Sequence, residues 1–146
     1  MSKVIENSSC FYCEKGMELE NLMIEAAKLQ VSTLYVNKDQ THKGRCIVAF
    51  NRHVKELFQL DEKELHLFFE DVSKVAKLLN DVFRPGKLNY GIYGDLVSHL
   101  HMHLVPKYEK SSEWGEAFIN SPTPKHFLSD MDYEEIVRMM QAGLQD

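Results

Sequence analysis

The chain has 146 residues, of which 44% are hydrophobic, and its 17 basic and 22 acidic residues give a net charge of −5. The length suits a single domain, and the apolar content excludes global disorder. The acidic balance argues against a protein that binds a nucleic-acid backbone, and no apolar run is long enough to cross a membrane. The first residues lack the apolar segment of a signal peptide, so we expect a cytoplasmic protein.

The first part of the chain is predicted to contain mainly strands. Residues 21–27 form a short apolar run that fits either a strand or a short helix, and residues 31–36 form a clearer strand. A polar loop then leads into residues 44–50, which read as a largely buried strand. Cys46 lies within this run and is interpreted as a core residue.

The second part is dominated by a long amphipathic helix. Apolar residues recur at spacings of three and four over residues 61–83, with a cap-like Asp61 and Glu64 at the start and Pro85 after the end. Four further elements follow: strands at 87–93 and 99–105, a loop at 108–129 and a helix at 130–144. Pro106 is expected to close the second of these strands. This order of elements predicts an α+β domain with a largely antiparallel sheet.

Cys10 and Cys13 form a Cys-x-x-Cys pair near the start of the chain. The pair is compatible with a redox site, with half of a metal site or with incidental spacing. A redox pair would follow a core strand, whereas this pair follows a polar stretch. A structural zinc site would need two more ligands from elsewhere in the chain.

Three histidines alternate with apolar residues at His99, His101 and His103. Side chains alternate between the two faces of a strand, so we expect all three imidazoles on one face and the apolar residues in the core. A solvated strand face would need no such regularity. Two chemical interpretations remain, namely a metal site built from the triad and nucleophilic catalysis by an imidazole.

The pattern from His99 to Val105 resembles the motif of the histidine-triad (HIT) superfamily. Leu88-Asn89-Tyr90-Gly91 before it, Pro106-Lys107 after it and the early cysteine pair agree with that resemblance. The resemblance implies a HIT-like fold, with an antiparallel five-stranded sheet, one long central helix and a carboxy-terminal helix. Residues 10–146 would form the HIT domain, with residues 1–9 as an amino-terminal tail.

The stretch from Gly44 to Leu57 resembles the metal-binding strand of the zinc-containing bacterial branch. By this resemblance the zinc ligands would be Cys10, Cys13, His53 and His99. Two thiolates and two imidazoles would close a tetrahedral shell, so the metal would be structural.

The resemblance also implies an enzyme in which His101 is the nucleophile and His103 binds phosphate oxygens. Asn89 and Asp95 would complete the phosphate-binding site. The expected substrates are nucleotide conjugates such as nucleoside phosphoramidates or dinucleoside polyphosphates, cleaved at the α-phosphate through a nucleotidyl-histidine. The alternatives are a nucleotidyltransferase with a phosphorylated acceptor and a nucleotide-binding regulatory module with little turnover. The family implies a homodimer, without nucleic-acid or membrane partners.

Two positions depart from the family pattern. Asp95 stands where relatives often carry an amide, and a carboxylate would repel a phosphate unless it is protonated or paired. Arg45 stands where many members carry histidine. It is interpreted as a surface charge, with a contact to phosphate as the alternative. His42, His66 and His126 form no constellation and are predicted to be surface residues.

Overall fold

Residues 10–145 are described by a computed structural model, and the predicted tail at residues 1–9 lies outside the described residues. Five strands form one antiparallel sheet, as predicted for this fold class. The strands are β1 (Met23–Lys28), β2 (Ser32–Asn37), β3 (Cys46–Phe50), β4 (Lys87–Ile92) and β5 (His101–Lys107). Their order in the sheet is β1-β2-β3-β5-β4. The helices are α1 (Phe11–Glu14), α2 (Met17–Leu22), α3 (Glu62–Phe83) and α4 (Asp130–Leu144), with a 3-10 turn at Leu57–Gln59.

The ambiguity in residues 21–27 is resolved by a split within the run. Helix α2 ends at Leu22 and strand β1 begins at Met23, so the same apolar run serves both elements. Among residues 10–145, no helix has the length and apolar character that a membrane crossing requires.

Helix α3 begins and ends where its sequence signals predict. The Asp61 carboxylate accepts a hydrogen bond from the Glu64 amide at 2.8 Å, and the Glu64 carboxylate accepts one from the Asp61 amide at 3.1 Å. This reciprocal capping satisfies two donors at the start of the helix. Arg84 adopts a left-handed conformation with φ of 52°, and Pro85 prevents another turn.

The triad strand is shifted by two residues from its predicted position. His99 lies outside β5, because the Leu100 amide donates to the Val54 carbonyl in the turn after β3. At the other end, the strand continues through Pro106 to Lys107, so the prediction that Pro106 closes it is wrong. The Lys107 carbonyl accepts a hydrogen bond from the Gly86 amide, on the β4 side of the strand. The backbone nitrogen of Pro106 therefore points to the other side, towards β3, where the pairing with β5 already ends at Leu104. The missing N–H of Pro106 therefore breaks no ladder bond.

The two faces of the sheet pack differently. One face carries the main hydrophobic core beneath α3 and α4, and it includes Leu100, Met102 and Leu104 from the triad segment. Cys46 lies in this core and is fully buried, as predicted. The opposite face carries a smaller cluster that is contributed mainly by α1, α2 and the reverse sides of the central strands. The three histidines of the triad alternate with the core residues and therefore lie on this second face.

Asp71 joins α3 to the turn between β1 and β2. Its carboxylate is buried and accepts hydrogen bonds from the Ser32 hydroxyl at 2.7 Å and the Val31 amide at 3.0 Å. Gln30 donates to the same side chain from its amide at 3.2 Å. One carboxylate thus fixes the long helix on the sheet.

We expect Asp71→Ala to lower the free energy of unfolding by about 2 kcal/mol, because it leaves the buried Ser32 hydroxyl without its acceptor. Urea unfolding followed by circular dichroism measures the change. The matched control is Asp81→Ala on the same helix, where the carboxylate forms a surface pair with Lys77. That control should leave the unfolding midpoint nearly unchanged. Equal midpoints for both variants would contradict the role given to Asp71.

Candidate metal cluster and active-site cleft

Four side chains predicted as metal ligands meet at one end of the sheet. Cys10 and Cys13 come from the start of the described chain, His53 from the turn after β3 and His99 from the segment before β5. Their Sγ and ring nitrogen atoms all lie within 4.8 Å of one another. The family resemblance implied this grouping, which joins residues as far apart in the chain as Cys10 and His99, 89 residues away.

The spacing within this cluster fits a tetrahedral metal. The Nδ1 atom of His99 lies 3.4 Å from the Cys10 sulfur, 3.6 Å from the Cys13 sulfur and 3.2 Å from Nδ1 of His53. The Cys13 sulfur lies 3.3 Å from Nδ1 of His53. Zinc with ordinary Zn–S and Zn–N bonds would hold such donor atoms about 3.3–3.8 Å apart.

The ring of His99 is oriented for this cluster by the backbone. Its Nε2 atom donates a hydrogen bond to the Phe50 carbonyl at 2.6 Å, which leaves Nδ1 with a lone pair. That lone pair faces the two sulfur atoms and His53. The donor set and its orientation are those of a closed four-ligand site.

A cleft of about 610 Å³ lies beside the cluster on the same face of the sheet. His101 and His103 line it together with Tyr12, Arg45 and Asp95. The other polar or charged residues of the lining are Asn37, Asp39, Tyr93, Asn120, Ser121 and Lys125. The second and third histidines of the triad thus face a cavity, whereas the first faces the cluster.

Hydrogen bonding fixes the tautomer of His101. Its Nδ1 atom lies 2.6 Å from the carbonyl oxygen of His99, and because a carbonyl only accepts, Nδ1 must carry the proton. The other ring nitrogen, Nε2, then has a free lone pair. Burial lowers the pKa of His101 below its usual value, so the ring is held in the neutral form.

His103 is held in the opposite tautomer. A guanidinium can only donate, and a terminal nitrogen of Arg45 lies 3.0 Å from Nδ1 of His103. Nδ1 is therefore the acceptor, and the proton of the neutral ring lies on Nε2. Burial, with the charge of Arg45 second, lowers the pKa of His103 to about 3. One triad member thus offers a lone pair and its neighbour offers a proton.

Tyr12 packs against two histidines of the triad. Its ring centroid lies 5.2 Å from that of His99 and 5.1 Å from that of His101. Burial raises the pKa of its phenol, so Tyr12 stays neutral. Tyr12, one of the two residues between the cysteines, thereby forms part of the wall of the cleft, a role that the sequence did not predict.

Arg45 is buried, so its interpretation as a surface charge is wrong. The side chain is only 5% exposed, and it donates to the backbone and side-chain oxygens of Asn120 as well as to His103. Gly44, with φ of +90°, makes the turn that precedes Arg45. The available signal was the position of Arg45 directly before a buried strand, where a long polar side chain has little access to solvent.

Other predicted positions show a mixed outcome. His42 is buried and its Nε2 donates to the Ile119 carbonyl, so the prediction of a surface residue is wrong for it. His66 and His126 are exposed, as predicted.

Asp95 is exposed and lines the cleft. Asn89 is not among the lining residues, and its Oδ1 atom accepts from the Phe118 amide. This bond holds the loop after β5 against β4, and a contact between Asn89 and nucleotide stays a prediction.

Comparisons with known proteins agree with this architecture. Two solved structures resemble it throughout: a histidine triad protein from Bradyrhizobium japonicum (TM-score 0.78, 19% identity) and a zinc-bound histidine triad family protein from Mycobacterium smegmatis (TM-score 0.68, 16% identity). The first similarity covers 88% of this chain and 95% of the other, and the second covers 95% of each. At these identities the likeness concerns the fold.

Curated relatives match over shorter segments. A protein from Bacillus subtilis named "Protein hit" is 28% identical over 86 residues, which are 56% of this chain and 59% of that protein. An AP-4-A phosphorylase from Mycobacterium tuberculosis is 30% identical over 95 residues, which are 61% of this chain and 48% of that enzyme. The chain thus spans only about half to three fifths of these relatives. Residues 20–110 match the HIT domain family, and the chain belongs to that family.

Proposed function

We propose that this protein is a nucleotide-binding hydrolase that cleaves nucleotide conjugates at the α-phosphate, with His101 as the nucleophile. The observation that carries the proposal is the pair of opposite tautomers in one cleft. His101 offers a lone pair on Nε2, and His103 offers a proton on its own Nε2. A nucleophile beside a hydrogen-bond donor is the arrangement that phosphoryl or nucleotidyl transfer to an imidazole requires.

The reaction would proceed in two displacements. The Nε2 lone pair of His101 forms a bond to the α-phosphorus, and the bond from phosphorus to the leaving group breaks with its electron pair on the leaving group. The oxygen of a water molecule then forms a bond to phosphorus, and the nitrogen–phosphorus bond returns its electron pair to His101. The water releases one proton to solvent, the departed leaving group has taken up one from solvent, and the product is a nucleoside monophosphate. His103 would donate to a non-bridging phosphate oxygen in both steps.

Asp95 has the exposure and position to contact a bound nucleotide, because it lies in the cleft lining. We propose Asp95 as a nucleotide-contacting residue. Asn89, whose contact with nucleotide stays a prediction, also anchors the loop that carries Phe118.

We expect His101→Ala to lower the turnover of adenosine 5'-phosphoramidate or diadenosine tetraphosphate by at least about 10³-fold, because no neighbouring group can replace a nucleophile. Nucleotide binding should be retained, since His103 and the rest of the cleft remain. Steady-state kinetics and calorimetric binding measure the two effects. His66→Ala is the matched control, because His66 is an exposed histidine on α3.

The wild-type enzyme, quenched during its first turnover, should carry a nucleotide on histidine in a bond that is labile in acid and stable in base. Mass spectrometry locates that adduct. A folded His101→Ala variant that retains wild-type turnover would refute the assignment of His101 as the nucleophile. The reaction would then proceed without an adduct on His101.

A second candidate function is nucleotidyl transfer to a phosphorylated acceptor. It is favoured by the similarity to an AP-4-A phosphorylase over 95 residues. The same histidine adduct would form, and inorganic phosphate would replace water in the second displacement. Product analysis in phosphate buffer separates the two functions, because transfer yields a nucleoside diphosphate and hydrolysis yields a monophosphate. A regulatory module would bind nucleotide and form neither product.

We further propose that Cys10, Cys13, His53 and His99 hold a structural zinc ion. The support is the spacing of the four donor atoms and the orientation of His99 by the Phe50 carbonyl. A zinc ion with four protein ligands contributes directly to the free energy of folding and offers no open position for substrate.

We expect protein purified without chelator to contain about one zinc ion per chain, and Cys13→Ser to lower that content and the melting temperature. Elemental analysis and thermal unfolding are the measurements. Cys46→Ala is the control, because Cys46 is a buried thiol in the main core, away from the cluster. That control should lower stability through a core cavity and leave the zinc content unchanged. Metal-free wild-type protein would exclude the site.

We propose that the protein is a homodimer that pairs through the free side of β4. Within residues 10–145, β4 is an edge strand without a partner on its outer side, and Tyr90 on it is 53% exposed. Exposed strand edges are sites where another chain can pair. Light scattering should therefore report a mass of twice 17.0 kDa, and a monomer at micromolar concentration would contradict the dimer.

We also propose a cytoplasmic location, supported by Cys10, Cys13 and Cys46, none of which forms a disulfide, as suits a reducing compartment. Cell fractionation is the direct check, and recovery only from a secreted or membrane fraction would contradict it.

A further inference from the structure

Arg45 is a buried cation in the wall of the cleft. Its side chain is 5% exposed, yet it is one of the residues that line the cavity beside His103. Burial lowers the pKa of its guanidinium, but a guanidinium keeps its proton at any physiological pH. The cleft therefore contains one permanent positive charge next to the triad.

The hydrogen bonds of Arg45 leave part of its guanidinium unused. Three donor contacts are made, two to Asn120 and one to Nδ1 of His103. Nε of Arg45 is buried and has no partner among the described residues. All three acceptors are neutral, so these bonds orient the guanidinium without cancelling its charge.

No carboxylate of residues 10–145 forms an ion pair with Arg45. Asp39 attracts it from a distance, and hydrogen bonds from the Thr41 hydroxyl and the amides of Thr41 and His126 hold this carboxylate in place without ion-pair contact to Arg45. A buried charge is costly unless it is paired, and removing it from water makes its attraction for an anion stronger. The missing counter-charge can enter through the cleft.

Neighbouring residues agree with an anionic ligand at this part of the cleft. Asn120, which Arg45 binds, belongs to the same loop as Ser121 and Lys125, and all three line the cavity. Lys125 is exposed and adds a second positive charge to the lining. Asp39 and Asp95 are the two acidic residues of the lining. The Asp39 carboxylate already accepts hydrogen bonds from the Thr41 hydroxyl and the His126 amide.

We propose that Arg45 makes the cleft selective for conjugates whose leaving group is itself a phosphate chain, in preference to conjugates with an uncharged leaving group. This inference rests on the proposed hydrolase function and names its substrate class. The α-phosphate would lie between His101 and His103, where it accepts the proton on Nε2 of His103. Arg45 contacts Nδ1 on the other side of the same imidazole ring. Its charge therefore attracts the additional negative charge of a phosphate chain, which a neutral amine leaving group lacks.

Two substitutions separate charge from hydrogen bonding. Arg45→Gln removes the charge and can still donate to Nδ1 of His103, whereas Arg45→Lys keeps the charge and changes the donor geometry. We expect Arg45→Gln to lower the ratio of kcat/KM for diadenosine tetraphosphate to kcat/KM for adenosine 5'-phosphoramidate by at least about tenfold. Arg45→Lys should retain most of that ratio. Equal losses on both substrates for Arg45→Gln would overturn the inference, because a residue that only positions His103 affects both alike.

The matched control is Lys43→Gln, which removes one exposed charge from the same turn outside the cleft lining. It should leave the ratio unchanged. Melting temperature and zinc content of each variant establish that it is folded.

A binding measurement tests Arg45 apart from turnover. In protein carrying His101→Ala, calorimetry should show that ADP binds more tightly than AMP, and that adding Arg45→Gln removes most of this difference. A difference that persists without the charge overturns the inference. If Arg45→Gln does not fold, the comparison of ADP with AMP in the His101→Ala protein decides, and equal affinities overturn it. If wild-type protein cleaves neither conjugate while the ADP preference depends on Arg45, the hydrolase proposal fails and the anion site stands.

Discussion

The arrangement of the site depends on one hydrogen bond, from Nδ1 of His101 to the carbonyl oxygen of His99. It places the proton of the ring on Nδ1 and leaves Nε2 with a lone pair. The same backbone segment presents the ring of His99 to the cluster of cysteines, because its Nε2 bonds to the Phe50 carbonyl. Two backbone carbonyls therefore decide which nitrogen atoms of two histidines are available for chemistry.

The third histidine takes its orientation from a side chain. His103 receives a hydrogen bond from Arg45, so its proton lies on the opposite nitrogen to that of His101. The alternation of the strand would only place both rings on one face. What distinguishes them is the environment of Nδ1, which is a carbonyl oxygen for His101 and a guanidinium for His103. Similar side chains on one strand thereby acquire opposite hydrogen-bonding roles.

Much of the fold could be predicted because its signals are local. The capping residues Asp61 and Glu64 and the apolar stripe of α3 fixed the long helix, and the alternation from His99 onwards fixed the face of the triad. The metal cluster was predicted through the family resemblance, since spacing alone left the cysteine pair ambiguous. Arg45 and His42 were misread because their burial depends on the loop at residues 108–129, which has no periodicity from which its position could be predicted.

The cleft is assembled from parts of the chain that are far apart in sequence. Tyr12 comes from the first helix, Arg45 from the turn before β3, His101 and His103 from β5, and Asn120 from the last long loop. No local fragment contains the site, so it exists only when these distant segments have come together. A ligand that occupies it binds the native state and not partly folded chains. Ligand binding therefore raises the free energy of global unfolding. Above the dissociation constant, this increase grows with the logarithm of the ligand concentration.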